Sequence, residues 1–478
     1  MLIKGIVIAL YAVMIIWIGI FGLRKTKTFN EFFLAGGKVG PWMTAFTYGT
    51  AYFSAVLFIG FAGKIGWSFG YSGLWVAAGN VLVGVVGVWL FLGPKVKEVT
   101  SELKVQTMAE FLDKRYQSGF LKIFSSVSIF IFLVPYTAAV FMGLSYLFRS
   151  NFGIDYTLAL GFMGLFTAVY LVMGGYKSMT MIDVIFGMIM CAGVIILFFS
   201  TLNAGGGVSG ITSQLSAIEP KLTDWIGPPG FWPLFCLVFL TSVAPFGMPQ
   251  LVQKFYAIRD KKAIRIGLTG SAVFAVLITG VAYFTGATAR VFLSPESSPD
   301  AFYQGKPIFD AIMPEFLVRV IPESLSILIL LLILAASMST LAALVLVSSS
   351  AVAKDLYAGF INAGVSDKNL TLLMRICSAF FVLLSVILAY FKPTSIVTVL
   401  GISWGAIGSV FLGPFIWGIF WNKATKLGAI TSSIGGLAVC LILYASGHSS
   451  PESGTLGMMV SLGVNPVVSV VQNAVTKG

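Results

Sequence analysis

The stretch Gly49-Thr50-Ala51-Tyr52-Phe53-Ser54 interrupts the apolar segment 41–65, which is otherwise long enough to cross a membrane as one helix. A second segment, 229–248, runs into Ala244-Pro245-Phe246-Gly247-Met248-Pro249 at its end. Each interruption opens a block of about five apolar segments, 41–202 and 229–421. Matching breaks at matching positions in two halves predict an inverted repeat with a binding site near the bilayer midplane. The reason lies in the backbone. Unwinding a helix frees carbonyls and amides, and bilayer depth tolerates them only where they line protein or a water cavity. Taken singly, each break also reads as an ordinary Pro or Gly kink, so the argument rests on the pair.

The rest of the chain is consistent with a membrane setting. Of 478 residues, 58% are apolar and only 10% charged, with a mean hydropathy of +0.95. Soluble chains carry about 25% charged residues, so a water-facing surface cannot be built here. The chain therefore reads as an all-α integral membrane protein with about thirteen spans. Their places are 3–23, 41–65, 70–93, 120–148, 153–173, 179–202, 229–248, 264–289, 323–353, 368–391, 395–421, 426–446 and 454–473. The first reads as a retained helix, because its apolar run is long and no A-x-A site follows. The organisation expected is a leading helix and loop (1–40), a first repeat (41–202), an outer connector (203–228), a second repeat with an outer loop at 290–322 (229–421), and two trailing helices (422–478).

The net charge of +12 follows topology, and no nucleic-acid partner is expected. With the N-terminus outside, the alternate loops 24–40, 94–119, 174–178, 251–265, 354–375 and 422–427 hold nearly all clustered Lys and Arg. Arg24, Lys25 and Lys27 form one cluster, and Arg259, Lys261, Lys262 and Arg265 another. Basic loops stay in the cytoplasm, which sets the N-terminus outside and the C-terminus inside. Cys191, Cys236, Cys377 and Cys440 lie in apolar segments and read as buried hydrophobes. His448 is the sole histidine, so His-based metal or triad chemistry is not expected and the chain does not read as an enzyme.

Few residues are left to carry chemistry. Asp183 is the one carboxylate clearly inside an apolar segment, and a buried acid there is costly and by default functional. It is an ion ligand or coupling residue, or a helix-start acid favoured by the macrodipole. Ser339 and Thr340 are adjacent hydroxyls in 323–353, and together with the break at 49–54 they supply oxygens for a cation. Singly, such hydroxyls often bond their own i−4 carbonyl. The break itself has no acid: Tyr52 and Ser54 stand there. That favours a neutral, zwitterionic or anionic solute whose carboxylate meets half-helix N-termini.

Several motifs resemble the sodium/solute symporter family. They are Phe29-Asn30-Glu31-Phe32-Phe33-Leu34-Ala35-Gly36-Gly37 followed by Gly40, then Tyr52-x-Ser54-Ala55 with Phe58-Ile59-Gly60, and Gly174-Gly175-Tyr176-Lys177 with Asp183. Phe246-Gly247-Met248-Pro249 with Arg259 and Lys262, and Met338-Ser339-Thr340 ahead of Lys354-Asp355-Leu356-Tyr357, complete the series. The likeness runs in unbroken order over about 5–445. It implies a LeuT-type fold with one leading helix, five-plus-five inverted repeats and two trailing helices, and sodium-coupled uptake by alternating access. It implies a sodium site at the carbonyls of Thr50, Phe53 and Ala336 and the hydroxyls of Ser339 and Thr340. Solute would lie against Thr47, Tyr52, Ser54, Thr241, Pro245, Phe246, Ser403 and Trp404, with Asp183 in coupling. Some members hold a second sodium with serines beyond the Ser-Thr pair, where this chain reads Ala342-Ala343. Proline carriers of the family have Asp where Tyr52 stands, and Tyr-x-Ser-Ala is closer to pantothenate and monocarboxylate carriers.

The resulting expectation is a symporter of a bacterial plasma membrane, importing a small organic solute with sodium as the coupling ion, as a monomer in the lipid bilayer. A carboxylate comes first among solutes; proline, other amino acids and sugars remain alternatives, as does a proton-coupled carrier using Asp183.

Overall fold

A computed structural model describes residues 2–25 and 28–476, without the side chains of 2–3, 23–25 and 171–174. Lys27, and the side chains of Arg24 and Lys25 in the first basic cluster, fall outside it, as does Gly174 of the Gly-Gly motif. Helices make up nearly all of the fold. We number the long ones α1 (Leu2–Lys25), α2 (Pro41–Tyr52), α3 (Gly119–Phe152), α4 (Tyr156–Gly205), α5 (Phe231–Val243), α6 (Pro249–Ala257) and α7 (Lys261–Ala287). The series continues with α8 (Ser326–Ser350), α9 (Asp367–Phe391), α10 (Ile396–Phe420), α11 (Lys426–Ala445) and α12 (Ser450–Val475).

Ten helical runs among the described residues are long and apolar enough to cross a membrane, or eleven if the bent pair Phe231–Gly247 and Pro249–Ala257 counts as one. The count of about thirteen differs for local reasons. The segment 41–65 is divided at its break. The run Val56–Leu103 takes up both the second part of that segment and all of 70–93, turning between them at Gly70, where φ is 56° and ψ −138°. Segments 153–173 and 179–202 both lie in α4, where Gly175, with φ 62° and ψ 179°, separates two helices; Gly175–Gly205 is long enough to span and Tyr156–Tyr170 is shorter. There a Cβ would sit 2.7 Å from the Phe32 ring, so glycine meets both the conformation and the space. Segment 454–473, the weakest in hydropathy, is a helix that passes as a span, α12.

The interior is organised around α8 and α10, whose apolar windows are 83% and 89% buried, against 28% for α1. In lipid an apolar surface does not by itself choose the centre; the Ala, Ser and Gly residues of these two helices let their neighbours pack closely on every side. Against α8 pack α2, α3, α4 and α9. The break in α2 follows from its sequence. The Phe53 N–H still reaches Gly49 O, but Phe53 adopts φ −103°, ψ 89°, which ends the helix. The second break begins at Ala244-Pro245 and turns at Met248 before Pro249, a residue suited to start a helix but unable to donate to the previous one.

The reading of 251–265 as a loop is corrected. Its first part is the helix α6, every residue of which is buried. The segment 290–322 contains a small hairpin, Phe302–Tyr303 against Lys306–Pro307, and the helix Phe309–Val320. There the Asp310 carboxylate accepts from the Ile396 N–H at 3.0 Å and caps α10. The trailing helices α11 and α12 lie flat against α10. A Cβ on Gly405 would meet the Gly454 Cα at 2.6 Å, and one on Gly413 would meet the Ser461 carbonyl oxygen at 2.1 Å. Backbones approach so closely only where side chains are absent.

Candidate functional site

The break after Tyr52 leaves carbonyls that α2 can no longer use, and α8 brings hydroxyls to them. Thr340 Oγ1 donates to Thr50 O at 3.2 Å, lies 3.4 Å from Ala51 O, and is 3.1 Å from its own i−4 carbonyl, Ala336. Ser339 Oγ donates to Thr50 Oγ1 at 2.8 Å, which in turn donates to Phe46 O. Thus the oxygens of Thr50, Ala336, Ser339 and Thr340 occupy one buried spot between α2 and α8. Phe53 sits at the same break, buried, with its ring 4.4 Å from that of Tyr52. Main-chain and hydroxyl oxygens form a neutral donor set that suits a hard monovalent cation without placing full charges at depth. Among the described residues no group of three His, Cys, Asp or Glu stands close enough to hold a metal.

Asp183 stands next to this cluster. It is 1% exposed, and the hydroxyls of Thr47 and Ser339 face its carboxylate, although neither oxygen makes a hydrogen bond of good geometry. Sequence reasoning missed its nearest charged neighbour, Lys254 of α6, which is also buried. The stretch Leu251-Val252-Gln253-Lys254-Phe255-Tyr256 mixes polar and apolar residues at a span's edge, so hydropathy alone assigned it to the cytoplasm. A further buried acid, Asp355, was also missed; it accepts from Thr107 Oγ1 at 2.7 Å, near the Lys354–Glu110 ion pair at 3.1 Å.

Beyond the break lies a small cavity of about 30 Å³ lined by Tyr52, Ser54, Asn80, Tyr136, Thr241 and Trp404 among others. Tyr52, Ser54, Thr241 and Trp404 are thus brought together as the resemblance implied. Thr47, Pro245, Phe246 and Ser403 do not line it. Thr47 turns to Asp183, Phe246 lies against Gly87, and Ser403 Oγ donates to Phe132 O at 2.5 Å. Asn80, Tyr136 and Tyr283 line the cavity and were not foreseen. The Tyr52 hydroxyl donates to Thr241 O at 2.5 Å, tying the first break to the helix that leads into the second. Its ring stacks on Trp404 with centroids 5.9 Å apart, and Tyr136 meets Trp404 edge-on at 5.8 Å. The Tyr136 hydroxyl faces Ser54 and Trp404 here, although neither Tyr136 Oη nor Trp404 Nε1 makes a hydrogen bond of good geometry. An indole N–H can only donate, so whatever satisfies it must present an acceptor.

A family model of sodium:solute symporters matches residues 32–436. The chain belongs to the sodium:solute symporter family. Curated relatives include the osmoregulated proline transporter OpuE of Bacillus subtilis, 28% identical over 98% of this chain and 94% of that protein. The sodium/pantothenate symporter of Escherichia coli is 28% identical over 95% of this chain and 94% of its own. The high-affinity proline transporter PutP of Bacillus subtilis is 29% identical over 90% of each. A solved structure, the substrate-bound outward-open state of a sodium-coupled sialic acid symporter, superposes with a TM-score of 0.83 over 98% of this chain and 97% of that one, at 20% identity. Family membership makes this chain a multi-pass membrane transporter of small solutes and not an enzyme. The LeuT-like fold agrees with the expected architecture.

Proposed function

We propose that this symporter imports a small carboxylate, pantothenate-like or monocarboxylate-like, by alternating access with sodium as the coupling ion. The observation that carries the reading is the gathering of α8 hydroxyls on the freed carbonyls of α2, one turn from a cavity whose unpartnered groups are donors. Sodium takes the oxygens of Thr50, Phe53, Ala336, Ser339 and Thr340, holding the broken helix to α8. The carboxylate accepts from Trp404 Nε1 and the Tyr136 hydroxyl, while Tyr52, Ser54 and Thr241 shape the wall. Because both ligands stabilise one arrangement of α2, each raises the other's affinity by the same factor. Asp183 supports the ion site through the Ser339 hydroxyl that faces it. The reading places the N-terminus outside and the C-terminus inside, and it takes 41–202 and 229–421 as the two repeats.

With a monoanion and one sodium, the cycle moves no net charge and draws about 1.4 kcal/mol per tenfold sodium gradient. A zwitterion such as proline would add about 2.3 kcal/mol per 100 mV of potential. The test is uptake into proteoliposomes under an inward sodium gradient with a potassium control, across pantothenate, lactate, acetate, proline, sialic acid and galactose. Sodium-dependent uptake of a carboxylate supports the reading. Uptake confined to proline or a sugar replaces the solute, and uptake that follows pH but ignores sodium replaces the coupling ion.

A further inference from the structure

Where the run Val56–Leu103 turns at Gly70, the connector 203–228 folds onto it. Gly70 has no room for a side chain beside the Leu222 carbonyl, and Gly227 none beside those of Lys221 and Phe69, so the two segments are clamped together. Between them lies a cavity of about 460 Å³, lined by Tyr71, Trp75, Thr223, Asp224 and Trp225 among others. Its aromatic walls are fixed. Trp75 Nε1 donates to Trp225 O at 3.0 Å, and the two indoles form an open V, with centroids 5.9 Å apart and planes at 44°. Tyr71 stacks on Phe284 at 6.3 Å, and its hydroxyl is hydrogen-bonded to that of Thr212 at 2.8 Å. The Asp224 carboxylate shares this cavity, and among the described residues no Lys or Arg forms an ion pair with it. Aromatic rings and a carboxylate around one space attract the same thing, an ammonium group. An anion would meet the acid and be repelled.

The surroundings of the cavity select where that ammonium comes from. Along the same run Trp75, Leu82, Val83, Leu90 and Phe91 are exposed, at spacings that keep them on one face. In a bilayer such a face is covered by acyl chains. Trp75 and Trp225 stand at its end, the level at which Trp meets lipid headgroups. An interfacial anchor needs one exposed indole and no acid, whereas here two indoles are tied together beside Asp224. We propose that this cavity seats one phospholipid whose headgroup ends in an ammonium, as in phosphatidylethanolamine. The ammonium lies between the Trp75 and Trp225 rings and against Asp224, and the acyl chains follow the exposed face of the run. A lipid held there joins the connector to the run at their shared turn. The site is separate from the ion cluster and the cavity at the break, so it is independent of which solute or coupling ion the carrier uses.

The test is native mass spectrometry of the purified full-length protein, released from nanodiscs of equal parts phosphatidylethanolamine and phosphatidylglycerol with matched acyl chains. The wild type should retain about one phosphatidylethanolamine, favoured about tenfold over phosphatidylglycerol. Asp224→Asn and Trp225→Ala should each bring the two lipids to within about twofold of one another, while Trp225→Phe keeps the preference. Both positions are exposed, so these variants should fold as the wild type does. Equal retention of the two lipids by the wild type, or an undiminished preference in either Asp224→Asn or Trp225→Ala, would overturn the lipid seat. A second arm separates lipid from free solute by thermal unfolding in detergent. Short-chain phosphatidylethanolamine should raise Tm, and ethanolamine at the same concentration should not. Equal shifts from the two would give the site to a soluble ammonium compound and overturn the lipid assignment.

Discussion

Thr340→Val isolates the ion cluster with little disturbance of packing, since valine keeps the branched shape and loses only the hydroxyl. That hydroxyl is within 3.1–3.4 Å of the carbonyls of Ala336, Thr50 and Ala51. These are long hydrogen bonds, so without sodium their removal should cost about 1 kcal/mol. For a chain of 478 residues that is a fall in Tm of no more than about 2 °C. With sodium bound, the same oxygen faces a full charge, and contacts of that kind contribute about 1.5–3 kcal/mol. The affinity changes by the difference, about 0.5–2 kcal/mol, so sodium half-saturation should rise about 2- to 30-fold. Thr340→Ser, which keeps the oxygen, should stay within about threefold of wild type. The assay is sodium titration of uptake in proteoliposomes, with thermal unfolding of the same preparations. A normal Tm together with sodium half-saturation within twofold of wild type would remove Thr340 from the ion site and the coupling argument with it.

Other substitutions probe the surrounding geometry. Gly84→Ala would place a Cβ 2.3 Å from the Tyr52 hydroxyl and push it off Thr241. It should destabilise by about 1–3 kcal/mol, and adding Tyr52→Phe should recover most of that; a purely additive double mutant in thermal unfolding would contradict the clash. Trp404→Phe keeps the stack on Tyr52 but removes the unpartnered donor, so solute half-saturation should rise about tenfold with no loss of Tm; unchanged half-saturation would take the solute acceptor away from Trp404. Burial pushes the Asp310 carboxyl in the loop 290–322 up to about 6, against the pull of the Ile396 N–H and Lys64. Because its folded value lies above the ordinary one, the folded state holds the proton more tightly, and this group's contribution to stability falls as pH rises from about 4 through 6. Asp310→Asn should flatten that slope, read as Tm against pH; an unchanged slope would assign it elsewhere.

The class of fold was readable because membrane helices announce themselves by length and hydropathy, and the two breaks because Pro and Gly stand where a span should continue. The Ser339-Thr340 pair was readable for the same reason: hydroxyls are conspicuous in a helix otherwise built of Leu, Ile and Ala. Other features depend on three-dimensional packing. Lys254 looks cytoplasmic in sequence because a lysine beside Gln253 and Gln250 lowers local hydropathy, while the short helix that carries it is buried by α2 and α8. Tyr136 and Asn80 reach the cavity from helices with no break to draw attention to them. Ser403 shows the opposite case. It is next to Trp404 in sequence, but the helical turn of about 100° per residue sends it to the Phe132 carbonyl and away from the cavity.

The glycine-lined seam between α10 and the trailing helices has a practical meaning. Where Gly405 meets Gly454 and Gly413 meets Ser461, backbone lies on backbone, with no long side chain to slide or swing. Contacts of that sort shift as blocks, so α10, α11 and α12 should travel together. A fluorophore placed at residue 475, exposed on the last turn of α12, would then follow the displacement of α10 while lying well away from both ligands. The end of the chain is, in this sense, a pointer fixed to a moving wall, and its angle to a second label on α8 would track each transport stroke in real time.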